Sequence, residues 1–105
     1  MKNSQIKLPT MAEILVEEFI KPYKISACQL AKAIKIPAFQ IKNILHNKQK
    51  INIDIALRFS KFFGTSDNFF INLQNEIDLR NSKHKQKLIL DNIKTFSATT
   101  QQISD

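Results

Sequence analysis

From Thr10 to Ile77 the apolar residues recur at intervals of three and four in short blocks, most with a helix-capping residue just ahead. A chain written in that period buries its apolar stripes by packing helix on helix, so the expected fold class is all-α, with five helices. The first block sets Met11, Ile14, Leu15 and Phe19 on one face and Glu13, Glu17 and Glu18 on the other. Thr10 and Glu13 have the spacing of a capping box. Pro22 is expected to stop this helix, because an interior proline loses a hydrogen bond and collides with the preceding turn. Ser26 should cap a second helix, from Ala27 to about Ile34, that buries Leu30, Ala31 and Ile34. Pro37 suits the first turn of a third, which runs to about residue 46 and buries Ile41, Ile44 and Leu45. Asn47 can end that helix in a left-handed conformation.

Asn52 then caps a fourth helix with Ile53, Ala56, Leu57, Phe59 or Ser60, and Phe63 expected inward. The single glycine, Gly64, stands where a helix C-terminus wants positive φ. Ser66 is the expected cap of a fifth helix striped by Phe69 or Phe70, Leu73 and Ile77, with Asp67 at its positive end. Beyond Arg80 the segment around Leu88–Ile89–Leu90 reads equally as more helix or as a short strand. The expected organisation is a flexible arm over residues 1–8, one domain over 9–80, and a partly disordered extension over 81–105.

With 105 residues the chain has room for one domain. One glycine leaves no glycine-rich phosphate loop, and one cysteine leaves neither an intramolecular disulfide nor a cysteine-built zinc site. Cys28, His46 and His84 have no metal-ligand neighbours in sequence, so neither a metal nor a cofactor is expected. No apolar run suits a signal peptide or a membrane span, which points to the cytoplasm and away from any membrane partner. The net charge of +7 is unevenly placed: between Lys21 and Gly64 Asp54 is the only acid, while basic and acidic residues cancel from Thr65 onward. A basic middle between near-neutral ends suits a polyanion.

The second and third helices lie close enough in sequence to form a helix-turn-helix. Ala31 supplies the small residue at the helix crossing, Ile36 the apolar residue of the turn, and Ile41 and Ile44 the anchors beneath the second helix of the pair. Ala38, Phe39, Gln40, Lys42 and Asn43 are left pointing outward, where a major groove would lie. Gln40 and Asn43 can each pair bidentately with adenine, whereas Lys42, Lys48 and Lys50 are point charges better suited to phosphate. Ser26, Gln29 and Asn47 complete the candidate DNA-binding set. Phe39 suits either a thymine methyl or a place against the second helix. The plain alternative for each polar residue is a solvated helix face. Phe62, Phe69, Phe70, Leu73 and Ile77 offer more apolar surface than one small core needs, and are the candidate dimer or partner interface.

The pieces EILVEEFIKP, LAKAIKIP, NILHNKQKINIDIALRFSKFFGTS and NFFINLQNEIDLR, in that order over roughly residues 8–80, resemble the HigA family of antitoxins. That family belongs to the Cro-repressor-like helix-turn-helix superfamily, and Pro9, Glu13, Ile14 and Leu15 echo its usual opening. The resemblance implies a homodimer that binds double-stranded DNA at an inverted-repeat operator and represses its own operon. It also implies neutralisation of a small ribonuclease toxin of the HigB type, and no enzymatic activity. The chain departs from the family at Ala27, where a phosphate-touching Gln is usual, and at Lys35 and Asn47, where Gly is common. Phe70 replaces a usual Trp. A stand-alone helix-turn-helix regulator without a toxin is the first alternative. A small basic ribonuclease is the second, and two scattered histidines argue against it.

Overall fold

The computed structural model describes residues 8–97; the expectations for the arm over 1–7 and for the tail over 98–105 lie outside the described residues. Six helices follow one another and no strand occurs among the described residues. Helix α1 spans residues 11–23 and is continuous through Met11–Leu15, a π-helical turn Val16–Ile20, and Lys21–Tyr23. It is followed by α2 (Ala27–Ile34), α3 (Ala38–Leu45), α4 (Ile53–Phe63), α5 (Phe69–Lys85) and α6 (Lys87–Asp91).

Of the four expected caps, Thr10 and Ser26 form complete boxes. Glu13 N donates to Thr10 Oγ1 at 3.1 Å while Thr10 N donates to Glu13 Oε1 at 2.9 Å. Gln29 N donates to Ser26 Oγ at 3.0 Å while Ser26 N donates to Gln29 Oε1 at 2.7 Å. Pro22, in contrast, does not stop α1. The Lys21 amide donates to Val16 O, one residue further back than an α-helical bond, and this wider turn gives the pyrrolidine ring the room a regular turn denies it. The helix ends at Lys24, in the left-handed region at φ 55°.

The core joins Leu15 of α1, Leu30 of α2, Ile41 and Ile44 of α3, Phe59 of α4 and Phe70 of α5. Helix α4 buries Ala56, Phe59, Ser60 and Phe63 as expected, but not Ile53 and Leu57. Ile55 joins them in the core, whereas Ile53 and Leu57, one turn apart at the edge of that face, are 66% and 45% exposed. Asn52 caps the helix as expected, its Oδ1 accepting from Ile55 N at 2.9 Å. Helix α5 starts later than expected. The carbonyl of Ser66 accepts from Phe69 N at 3.2 Å, and its side chain caps nothing; Asn68 is the residue before the helix. The helix runs through Arg80 without a break, and Leu88–Ile89–Leu90 lies in α6, as helix rather than strand.

With one glycine available, this chain places three other residues in the left-handed region, Lys24, Lys35 and Asn47 at φ 55°, 62° and 59°. Asparagine tolerates this; lysine pays for its Cβ. Lys35→Gly is therefore expected to stabilise the fold by about 1 kcal/mol and to raise the thermal midpoint by about 4–8 °C. A melt that leaves the midpoint unchanged or lowered would contradict this.

Candidate nucleic-acid interface

Three residues, Lys35, Ile36 and Pro37, turn the chain from α2 into α3. The turn is built from the C-terminus of α2, where Ile36 N donates to Ala31 O at 3.1 Å and Lys35 N to Lys32 O at 3.2 Å. Arg58 of α4 locks it from below: its Nη1 donates to the carbonyls of Ile34 and Lys35 at 2.7 and 3.1 Å, while its Nε pairs with Asp54 at 3.0 Å. Nothing in the local sequence pattern points to Arg58. Its signal is a guanidinium one turn after Asp54, within reach of carbonyls left over by a helix end.

Pro37 precedes α3 in an extended conformation, one residue outside the helix, and offers no side-chain cap. Ile41 and Ile44 are buried beneath α3, as their spacing requires. Phe39 is 63% exposed, so a place tucked against the second helix is not the one it takes. Lys42 is exposed, while Ala38, Gln40 and Asn43 are half-buried along the same helix. The loop that follows is strapped to α3 by Asn47 N to Ile44 O at 3.1 Å and Lys48 N to Asn43 O at 2.8 Å. It is strapped to α5 by Ile51 N donating to the buried Gln74 Oε1 at 3.1 Å. Asn47 and Lys48 are thereby held beside the C-terminal end of α3 rather than on a loose loop.

The lysines differ in their electrostatics. Lys42 and Lys48 have no acidic partner among the described residues, whereas Lys50 Nζ lies 3.1 Å from Asp78 Oδ1. Ser26 and Gln29 are exposed at the start of α2, but the capping box uses Ser26 Oγ and Gln29 Oε1 as acceptors. What they retain for a phosphate is the hydroxyl proton and the Nε2 hydrogens. Gln40 Oε1 accepts from Gln49 Nε2 at 3.2 Å, a contact between helix and loop that sequence spacing does not reveal. No group of three or more metal-ligating side chains occurs among the described residues, and no helix there is long and apolar enough to cross a membrane.

The candidate apolar interface separates into two kinds of residue. Phe70 is fully buried, and Ile77 is nearly so, because both are core residues of α5; neither presents surface to a partner. Phe62 and Phe69 are exposed and Leu73 is half-buried. With Ile53 and Leu57 they account for most of the apolar surface that α4 and the start of α5 leave open.

No family model matches the chain. It is 32% identical over 81 residues to an uncharacterized HTH-type transcriptional regulator of Haemophilus influenzae, covering 77% of this chain and 76% of that one. The fold superposes on Pseudomonas aeruginosa antitoxin HigA, solved with the higBA promoter, with a TM-score of 0.80 and 32% identity over 87% of this chain and 100% of that one. It also superposes on an addiction module antidote protein of a HigA family from Coxiella burnetii, with a TM-score of 0.77 and 38% identity over 86% of this chain and 100% of that one.

Proposed function

The chain belongs to the HigA family of helix-turn-helix proteins, and from that premise we propose that it is a DNA-binding antitoxin that represses its own operon and neutralises a small ribonuclease toxin in the cytoplasm. The observation that carries the DNA-binding half is the surface of α3 and its following loop. Exposed Phe39 and Lys42, with half-buried Gln40 and Asn43, lie along a helix that Ile41 and Ile44 anchor from beneath. Lys48 extends that surface with an unpaired cation on a strapped loop. An outward amide row flanked by free ammonium groups is suited to base edges and phosphates together. In this reading α3 enters the major groove. Gln40 and Asn43 meet bases, Ala38 and Phe39 meet thymine methyls, and Ser26, Gln29, Lys42, Asn47, Lys48 and Lys50 hold phosphates.

The same reading makes the protein a homodimer. Two copies of α3 must then meet half-sites about one helical turn apart, ~34 Å, on an inverted repeat. The exposed Phe62 and Phe69 with the half-buried Leu73 are the surface we assign to the second copy, in keeping with apolar patches that monomers seldom leave open.

The test is to purify the chain together with the product of the adjacent reading frame and assay the complex on the upstream promoter. Retention of a toxic ribonuclease in an inactive complex, with protection of an inverted repeat, is the expected result. A stand-alone regulator predicts the same protection with no such partner.

Base reading is separable from anchoring. Asn43→Ala is expected to flatten preference at one base pair per half-site, removing ~1–3 kcal/mol of discrimination, because the Asn43 amide has no partner among the described residues and is free to meet a base. Binding titrations over single-base operator variants read this directly. Equal weakening on all variants would make Asn43 a phosphate or backbone contact.

A further inference from the structure

A free glutamine on a recognition helix shows a base its carbonyl oxygen and its amide hydrogens side by side, the match for the N7 and N6 edge of adenine. Gln40 is not free. Its Oε1 accepts from Gln49 Nε2 at 3.2 Å, in a half-buried contact that bridges α3 and the loop after it. The backbone on either side of Gln49 is held, because Lys48 is tied to Asn43 of α3 and Ile51 to Gln74 of α5. The oxygen of Gln40 is therefore directed toward the loop, and what its amide has left for a ligand is the Nε2 donor.

We propose that Gln49 is a positioning residue that fixes the polarity of the Gln40 amide, so that Gln40 reads two adjacent hydrogen-bond acceptors in preference to adenine, whose N7 accepts but whose N6 donates. Guanine, with O6 and N7 adjacent, is the expected partner, and thymine, with O4 alone, the weaker one. This rests on the reading of α3 as the base-contacting helix and adds to it the chemical class of base at one position.

The polarity can be reversed by one substitution. In Gln49→Glu the new carboxylate can only accept, so the Gln40 amide must turn and donate Nε2 to it, presenting Oε1 outward. That oxygen accepts from adenine N6 or cytosine N4 and has nothing to offer guanine O6. The added negative charge weakens binding to every duplex alike and leaves the ratio between base variants unaffected.

The experiment selects binding sites from a randomised duplex library with the full chain. The base pair flattened by Gln40→Ala is then identified, and affinity for its four variants is measured with wild type, Gln49→Glu and Gln49→Ala. Wild type is expected to favour guanine over adenine by about tenfold, and Gln49→Glu to invert that order. Gln49→Ala, which frees the amide, is expected to erase most of the preference and covers the case of a Glu variant that does not fold. The same guanine preference in all three proteins, or an adenine preference in wild type, overturns the inference while leaving DNA binding intact. Failure of wild type to enrich any inverted repeat overturns the DNA-binding reading, and this inference with it.

Discussion

Phe70→Ala is expected to lower the free energy of unfolding by about 3–5 kcal/mol, which for a domain of this size is a large share of the total. Phe70 has no exposed surface and sits in a cluster of rings: Phe69, Phe19, Phe59 and Phe63 have centroids 4.9, 5.1, 5.4 and 5.8 Å from it. These rings come from α1, α4 and α5, so the cavity left by truncation opens where three helices meet and cannot close by moving one side chain. Phe19 reaches the cluster from the π-helical turn of α1, so losing Phe70 removes packing from the one irregular stretch of that helix. Phe69→Ala is the contrast. Its ring is 41% exposed, and its loss is expected to cost about 1 kcal/mol in the isolated protomer. Urea denaturation of the two variants measures both values. A loss below about 1 kcal/mol for Phe70→Ala would mean that the site collapses and that the ring cluster does not hold the three helices together.

The helices were readable because their starts carry side-chain caps and their inner faces keep strict spacing. Thr10 with Glu13 and Ser26 with Gln29 are local devices, made within one turn, and they appear where the residues place them. The departures have several causes. Ile51–Asn52–Ile53–Asp54–Ile55 alternates apolar and polar residues, which blurs the inward face. With Asn52 capping the helix as expected, Ile51 and Ile55 are buried and Ile53 is not. Pro22 reads as a stop because the usual rule assumes α-helical width, and the π turn removes that assumption. Phe70 looks like surplus apolar surface until the rings of α1 and α4 are seen to close over it.

Within the candidate site, the residue types on α3 were legible from the helix-turn-helix spacing. Their hydrogen-bonded states were not, because the partners come from elsewhere in the chain. Gln40 meets Gln49, Lys50 meets Asp78 on α5, and the turn between α2 and α3 is held by Arg58 of α4. A sequence shows which groups can donate and accept; only the fold shows which are already spent.

That distinction separates the lysines in the largest functional effect expected here. If Lys42, Lys48 and Lys50 neutralise phosphates, each contact releases about one counterion, and each loss reduces the steepness of log affinity against log salt by about 1. At about 0.1 M salt that is roughly a tenfold loss of affinity for each phosphate contact, on every DNA sequence. Lys42→Ala and Lys48→Ala should each show this in full, since neither ammonium has an acidic partner among the described residues. Lys50→Ala should show less, because its ammonium is shared with Asp78 before DNA arrives. That exposed pair is worth about 1 kcal/mol or less, so phosphate can compete for the lysine but not without cost. Asp78→Asn then becomes the informative variant. It keeps an oxygen to accept from Gln74 Nε2, which lies 3.2 Å from Asp78 Oδ1, while removing the charge that holds Lys50. Asp78→Asn is expected to tighten binding to all duplexes and to steepen the salt dependence, with Gln74 still supporting the loop through Ile51. Titrations at several salt concentrations on operator and random duplex separate the outcomes. A salt slope unchanged by Lys42→Ala and Lys48→Ala together would remove α3 and its loop from the phosphate backbone. A slope unchanged by Asp78→Asn alone would leave the α3 contacts in place and remove only Lys50.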